Sequence, residues 1–452
     1  MPDRTSSPTS GVYRRAAALS IMVAEGLAHA TTTFPLLSPE PKMFLDAVPF
    51  RRALAGVFAL MSLALIAPAC AGAHPVQQAS SGPVPPSANV VAVDAVLRDS
   101  LRAVLRRAER DSAFPGAYAV VGNHAGILAE DSVGHLDWGP SAVPDEHSLW
   151  DLASLTKVVG MTTAVMQLYE QGKIDLDAPL QRYIPEWQGP HKELVTVRHL
   201  ITHTSGLPAD RPYDRQTHDA DSIAKLMFAT PLDTLPGVRM VYSDIGAYML
   251  GRLVERISGE TLDQYVLNHV FGPLGMTETM YRPPASLKAR IAPTEIDPVR
   301  GGKVWGVVHD ERAYYLGGVS AHAGIFSSAH DLARFAEMYL DGGALDGVRI
   351  VQPQTIALFT RRQLQDRALG WQKPDGSNSA GHMMSELAFG HTGFTGTSIW
   401  IDPATDVFVI LLSNRVNPTR ANNKIGRVRV ALADAVMSTL TRSPLPAPSA
   451  HP

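Results

Sequence analysis

Apolar and polar positions follow different periods at the two ends of the chain and in its middle. Between residues 91 and 108 the apolar side chains recur every three or four positions, which predicts an amphipathic helix. Two apolar runs at 116–121 and 127–128 then surround a turn-rich segment at 122–126. Such a pair of runs predicts a β-hairpin.

A second hairpin is predicted near the other end of the chain. Its apolar runs at 397–401 and 407–412 flank a turn, and the second run is apolar on both faces, which indicates a central strand. A helix is predicted at 425–440, and residues 155–280 carry mostly helical patterning. Strands at both ends with helices between them predict an α/β (α+β) fold. In it, both ends build one antiparallel β-sheet and a helical region is inserted.

The segment 43–73 has the pattern of an export signal. Arg51 and Arg52 precede an apolar run at 53–67, and small residues follow that run. The run has roughly 15 residues, fewer than the roughly 20 that a membrane-spanning helix needs. A buried core helix is the alternative interpretation. We expect export to the periplasm, the cell envelope or the medium.

Cys70 is the single cysteine of the chain and follows the apolar run closely. One cysteine can form neither an intramolecular disulfide nor a cysteine metal site. Its place after small residues fits a lipidated cysteine as well as plain secretion. Both a membrane tether through Cys70 and free secretion therefore remain open.

Composition predicts where the folded domain begins and ends. Residues 1–42 match neither a signal nor a domain, and Met43 is a candidate start of translation. Residues 74–90 are predicted to be a flexible linker and residues 441–452 a disordered tail, which leaves 91–440 as the folded domain. The formal net charge of −3 gives no electrostatic basis for binding nucleic acid.

One helix start carries candidate catalytic residues. Ser154 and Lys157 are three positions apart, so a helix places them side by side on one face. A serine in the first turn also lies near the positive end of the helix, and a buried lysine can release its proton and act as a base. The same spacing recurs at Ser222 and Lys225, so spacing alone does not select the site.

Two later segments of the chain support Ser154 and Lys157, rather than Ser222 and Lys225, as the catalytic pair. Tyr242 begins a Tyr-Ser-Asp segment that ends at Asp244, and a tyrosine near a lysine cation can relay protons. Tyr339 begins a similar segment at the end of an apparent helix and is a decoy. His391 begins a His-Thr-Gly segment ahead of the second hairpin. Glycine there lets the backbone approach a substrate, and the strand edge can offer an N–H group to an oxyanion.

In this order the three segments resemble the active-site motifs of class C β-lactamases, their esterase relatives and penicillin-binding DD-peptidases. Separations of about 85 and about 150 residues between the motifs are similar to those of the family, and the likeness runs from about Val91 to Leu440. The resemblance implies a β-lactamase/transpeptidase-like fold. In that fold, helices cover both faces of the antiparallel sheet and a helical subdomain is inserted.

The resemblance also implies an acyl-enzyme mechanism that uses no metal or other cofactor. It makes Ser154 the nucleophile and gives proton transfer to Lys157 and Tyr242. The backbone N–H groups of Ser154 and Phe394 would form the oxyanion hole. The remaining residues of the second and third motifs would bind substrate: Asp244, His391, Thr392 and Gly393.

Two positions depart from the family pattern. Asp244 stands where the second motif usually ends in asparagine, and its charge would tend to keep Lys157 protonated. His391 stands where the third motif often begins with a lysine that holds a substrate carboxylate, although some DD-peptidases of this class carry histidine there. We therefore expect peptidase activity without strong β-lactamase activity. We also expect carboxylate binding by His391 to strengthen as the pH falls through about 6 to 7.

The sequence thus predicts a serine hydrolase that cleaves an amide or ester in a small molecule or short peptide. The candidate substrates are a β-lactam, a D-Ala-type peptide and a carboxylic ester. A carboxylesterase on the same fold is the alternative enzyme, and a catalytically silent penicillin-binding sensor is the alternative class. An α/β-hydrolase lacks support because the chain has no Gly-x-Ser-x-Gly segment. A metallohydrolase lacks support because His199 and His203 belong to no His-Glu-x-x-His segment.

The nucleophile can be tested by covalent labelling with a β-lactam probe. Ser154→Ala is expected to abolish labelling, because this serine alone combines a helix start, Lys157 and the later motifs. Ser222→Ala is the matched control and should label like the unchanged protein. Mass spectrometry of the adduct identifies the labelled serine, and an adduct on Ser222 would contradict the assignment.

Overall fold

The structure, a computed structural model, describes residues 88–442. The predicted export signal, Cys70, most of the predicted linker and nearly all of the predicted tail lie outside these residues. Within the described part, none of the helices combines the length and the apolar character that a membrane span requires.

Residues 88–442 form both α-helices and β-strands. The α-helices are α1 (Ala88–Arg110), α2 (Thr163–Glu170), α3 (Val197–Ile201), α4 (Ala220–Ala229), α5 (Asp244–Ser258), α6 (Leu262–Val266), α7 (Glu311–Tyr315), α8 (Ala329–Leu340), α9 (Pro353–Thr360) and α10 (Ile425–Arg442). The strands are β1 (Gly116–Asn123), β2 (Gly126–Gly134), β3 (Trp150–Asp151), β4 (Met280–Tyr281), β5 (Ile296–Asp297), β6 (Gly302–Lys303), β7 (Ile325–Ser327), β8 (Ala344–Leu345), β9 (Val348–Arg349), β10 (Phe389–Thr392), β11 (Ser398–Asp402) and β12 (Val407–Ser413).

Both predicted hairpins belong to one five-stranded antiparallel sheet with the order β10-β11-β12-β1-β2. Strands from the two ends of the chain meet at its centre, where Val120 of β1 lies opposite Ile410 of β12. The run at 407–412 is buried along its whole length, as its two apolar faces predict. The predicted sheet, built from both ends of the chain, is confirmed.

Both faces of this sheet are covered. Because successive side chains of a strand point to opposite faces, Ala119 and Leu411 pack into one apolar cluster with α1 and α10. Val120 and Ile410 pack into the other cluster, which contains the side chains of α8 and of the helices inserted between β2 and β10. Helices on both faces of an antiparallel sheet are the architecture that the family resemblance implies, and the fold class is confirmed.

A small three-stranded sheet with the order β3-β7-β4 joins the inserted helices to the large sheet. The chain leaves β3 in a 3₁₀ turn at Ala153–Leu155 and passes through a π-helical stretch at Lys157–Thr162 before α2 begins. The predicted continuous helix from Ser154 is therefore interrupted. Thr163 Oγ1 donates to the backbone oxygen of Val158, five residues earlier, at 3.1 Å, which fits the wide π-helical turn. Such turns are frequent at functional sites.

Candidate active site

Ser154 lies in the tight turn that follows β3. Its neighbour Ala153 has a left-handed backbone conformation with φ of 46°, which is strained for a residue with a side chain. The buried carboxylate of Asp151 braces the turn. Its Oδ1 accepts the Ala153 N–H group at 2.8 Å, and its Oδ2 accepts the His309 N–H group at 2.6 Å. Ser154 is left partly exposed while the residues on both sides of it are buried.

Lys157 is buried beside Ser154. Its Nζ donates to Ser154 Oγ at 3.1 Å and to the backbone oxygen of His322 at 2.9 Å, and it lies 2.7 Å from Oδ1 of Asp244. Two hydrogen-bond acceptors and one carboxylate around this nitrogen suit an ammonium, which only donates hydrogen bonds. Burial favours the neutral amine, but the charge of Asp244, together with Tyr242, outweighs burial and raises the pKa of Lys157. Asp244 thus keeps Lys157 protonated, as its charge predicts, and burial alone does not free the lysine proton.

The Tyr-Ser-Asp segment is held in place by its middle residue. Ser243 caps α5, because its Oγ accepts the Gly246 N–H group at 3.1 Å while donating to the Pro208 backbone oxygen at 2.6 Å. The Ser243 N–H group donates to Nδ1 of His203 at 3.1 Å. His203 therefore positions the segment, a role that its sequence pattern did not reveal.

Tyr242 faces the catalytic lysine. Nζ of Lys157 is 4.9 Å from the centre of the Tyr242 ring, and the His203 ring lies 4.5 Å from it, centre to centre. The hydroxyl of Tyr242 is buried and has no hydrogen-bond partner within residues 88–442. Burial raises the pKa of Tyr242, although the charge of Lys157 opposes the rise. The free protein thus holds a neutral phenol next to an ammonium.

The turn after β10 is clamped to the backbone of the Ser154 turn. Thr395 Oγ1 donates to the backbone oxygen of Asp151 at 2.6 Å, and Thr397 Oγ1 donates to that of Leu152 at 3.0 Å. Gly393 approaches so closely that a Cβ there would overlap Leu152 O and Thr397 Oγ1. Half-exposed Phe394 follows, and its N–H group has no acceptor among the described residues.

This close approach favours the predicted oxyanion hole. The N–H groups in the first turn of a helix lack helical acceptors, which leaves that of Ser154 available beside the Phe394 N–H group. Two arginines that the sequence did not single out hold the turn from behind. Arg429 donates to the backbone oxygens of Gly393 at 2.7 Å and Thr397 at 2.8 Å, and Arg415 donates to that of Phe394 at 2.8 Å.

His391 lies in the site, since its ring centre is 5.9 Å from that of Tyr242. Nδ1 is 2.9 Å from the backbone oxygen of half-buried Thr392, so Nδ1 carries the proton, and Nε2 has no partner in the described part of the chain. Burial, reinforced by the charges of Arg367 and Lys157, lowers the pKa of His391 to about 3. His391 is therefore neutral near pH 7, as expected, but it does not gain its proton between about pH 6 and 7, so the expected strengthening of carboxylate binding in that range is wrong.

The similar segments that begin at Ser222 and Tyr339 lie outside this site. Ser222 is in the first turn of α4, where its N–H group donates to the capping carboxylate of Asp219 at 2.9 Å, and Lys225 is exposed. The Tyr339 hydroxyl contacts Met166 Sδ at 3.4 Å inside the core. His199 belongs to the N-terminal cap of α3, and residues 88–442 contain no group of three potential metal-ligating side chains.

Comparison with known proteins places this geometry in a family. The model of the family described as Beta-lactamase matches residues 101–433. The chain belongs to the Beta-lactamase family. A protein of Salmonella agona (strain SL483) named "Putative D-alanyl-D-alanine carboxypeptidase" is 32% identical over 311 residues, covering 62% of this chain and 72% of that protein.

Solved structures share the fold. A penicillin-binding protein homologue from Caulobacter crescentus superposes with a TM-score of 0.63 at 21% identity, over 76% of this chain and 98% of its own. EstCE1, a hydrolase with promiscuous acyltransferase activity, superposes with a TM-score of 0.63 at 21% identity, over 76% of this chain and 100% of its own. Family membership and the named relatives together make this member of the Beta-lactamase family a serine hydrolase that works through an acyl-enzyme.

Gly393→Ala tests the clamp between the two turns. Its Cβ would push the Phe394 N–H group away from Ser154, so we expect kcat to fall about 10²-fold to 10³-fold, the usual effect of losing one oxyanion-hole donor. The hydrolysis of p-nitrophenyl butyrate measures the change. Gly426→Ala is the control, because a Cβ at that position in α10 meets no atom within 4 Å. A Gly393→Ala enzyme with unchanged kcat would contradict this account of the turn.

Proposed function

We propose that the protein is a carboxypeptidase that removes a C-terminal D-alanine-type residue from a short peptide. The name of the Salmonella relative supports this substrate class. The observation that carries the proposal is a buried cation, Arg367, beside Tyr242 and close enough to His391 to lower its pKa. A carboxypeptidase must recognise the free carboxylate of its substrate, whereas an esterase need not.

Arg367 is buried next to the second and third motifs. Its guanidinium carbon is 5.5 Å from the centre of the Tyr242 ring, and its charge is one cause of the lowered pKa of His391, after burial. Within residues 88–442 the guanidinium makes no hydrogen bond, and Nε is 3.5 Å from Oδ1 of Asp366. A buried guanidinium with free N–H groups is suited to pair with a carboxylate. It would supply the positive charge that neutral His391 lacks.

In the proposed reaction Ser154 Oγ attacks the carbonyl carbon of the last peptide bond, and the N–H groups of Ser154 and Phe394 hold the oxyanion. The serine proton passes by way of Lys157 and Tyr242 to the departing amine, which leaves as the free terminal amino acid. Ser154 keeps the acyl group as an ester. Water then attacks that ester, a proton returns to Oγ, and the shortened peptide leaves as a carboxylic acid.

Arg367→Ala tests the substrate class. For an N-acyl peptide that ends in D-Ala-D-Ala, we expect kcat/KM to fall about tenfold to a hundredfold, because a charge-assisted hydrogen bond is lost. Hydrolysis of p-nitrophenyl butyrate, which has no carboxylate, should change little. Arg361→Ala, an exposed arginine of the same segment, is the control and should leave both activities intact.

The pH dependence of peptide hydrolysis shows whether Arg367 or His391 binds the substrate carboxylate. Arginine stays charged, and His391, with its pKa lowered to about 3, stays neutral. The ratio of peptide to ester activity should therefore stay constant between about pH 6 and 8, where an ordinary histidine would titrate. An ester preferred over the peptide in both the unchanged protein and Arg367→Ala would instead indicate a carboxylesterase.

We further propose that the protein is exported, on the strength of the signal-like segment 43–73. Mass spectrometry of native protein should then find a mature N-terminus near Cys70 or His74. A lipid mass on Cys70 would indicate a membrane tether, and an unmodified N-terminus free secretion. Native protein that retains Phe58 and its neighbours would contradict export by cleavage.

A further inference from the structure

Asp244 divides its carboxylate between two cations. Oδ1 lies 2.7 Å from Nζ of Lys157, and Oδ2 lies 3.3 Å from Nη2 of Arg312. The Arg312 side chain, at the start of α7, is only 6% exposed and also pairs with Asp210 and Asp310. An aspartate that replaces the family's usual asparagine is thus matched by a buried arginine about seventy positions further along the chain.

We propose that Arg312 is a positioning residue that acts through Asp244 to set how readily Lys157 gives up its proton. A carboxylate that faced Lys157 alone would stabilise the ammonium with its full charge. Arg312 binds the other oxygen and so draws part of that charge away. Burial lowers the pKa of Arg312 to about 10, so this arginine is still charged near neutral pH.

The proton of Lys157 matters because the resting centre holds no ready base. Lys157 is an ammonium and Tyr242 a neutral phenol, so accepting the Ser154 proton requires one of them to lose its own proton first. Asp244 opposes that loss at Lys157, and Arg312 offsets this opposition. With Arg312 on its second oxygen, and that arginine shared with Asp210 and Asp310, Asp244 acts on Lys157 with less than its full charge.

Two of the histidines around Lys157 do not titrate near neutral pH. His391 and His203 are held neutral, because burial, reinforced by Arg367, lowers the pKa of each. His322 contributes its backbone oxygen to Lys157, while its ring bridges Asp310 at 2.9 Å and Ser320 at 2.7 Å. The charges that face Lys157 and its partner Asp244 are therefore those of Arg312 and of the two further carboxylates on that arginine, Asp210 and Asp310.

The test uses the full-length protein and p-nitrophenyl butyrate, a neutral ester whose hydrolysis does not depend on the proposed peptide specificity. Arg312→Met keeps the shape and removes the charge. We expect the acidic limb of the kcat/KM profile to move to higher pH by about one unit, so that activity at neutral pH falls about tenfold and recovers at high pH. Arg312→Lys should give a smaller shift.

The decisive comparison is made in the Asp244→Asn background. Asp244→Asn alone should move the acidic limb to lower pH, and adding Arg312→Met to it should change kcat/KM by less than about threefold. Arg300→Met controls for the loss of a buried, paired arginine, because Arg300 is 4% exposed, pairs with Asp297 and does not contact Asp244. It should leave the pH profile in place.

Two results would overturn the proposal. One is an equal loss on Arg312→Met with and without Asp244→Asn, which would mean that Arg312 does not act through Asp244. The other is a loss of the same size at every pH, which would mean that Arg312 supports the fold only. Circular dichroism and the melting temperature of each variant show whether it is folded at the assay temperature.

Discussion

The buried ammonium of Lys157 is the charge around which the centre is arranged. Taking an ammonium out of water costs several kcal/mol, and the cost is offset only by well-placed acceptors. Here the acceptors come from three separate parts of the chain: the Ser154 turn, the start of α5 and the loop that contains His322. Each segment must be in place for the charge to be tolerated. The same contacts that stabilise Lys157 therefore fix the serine and Asp244 relative to one another.

Much of the fold could be predicted from local pattern. The two hairpins, α1 and α10 each have a hydrophobic period that one element alone explains. The structure places them close to the predicted bounds, except that β2 runs on to Gly134. The central position of β12 also followed from its two apolar faces. The interruption of the helix after Ser154 could not be predicted in this way. The conformation of Ala153 and the π-helical turn depend on contacts with Asp151 and β7 that no local period encodes.

Some residues of the site could likewise be predicted from the sequence, and others could not. Ser154, Lys157, Tyr242 and His391 have recognisable neighbours in sequence, and the structure brings them together. Arg312, Arg367 and Arg429 stand in no motif, and their roles arise from residues far away in the chain. The pH range in which His391 titrates was mispredicted for the same reason. Its neutral ring follows from burial and from three cations, two of which, Arg367 and Arg429, stand in no motif.

The pairing of β1 with β12 has a consequence for how the protein is made. About three hundred residues separate Val120 from Ile410, yet they are neighbours at the centre of the sheet. A growing chain can form the first hairpin early, but one edge of that hairpin stays open until nearly the whole polypeptide has been synthesised. Contacts of such long range slow folding, because a large loop must close before they form. A chain that stops short of β12 keeps an unpaired strand edge, which is a template for aggregation.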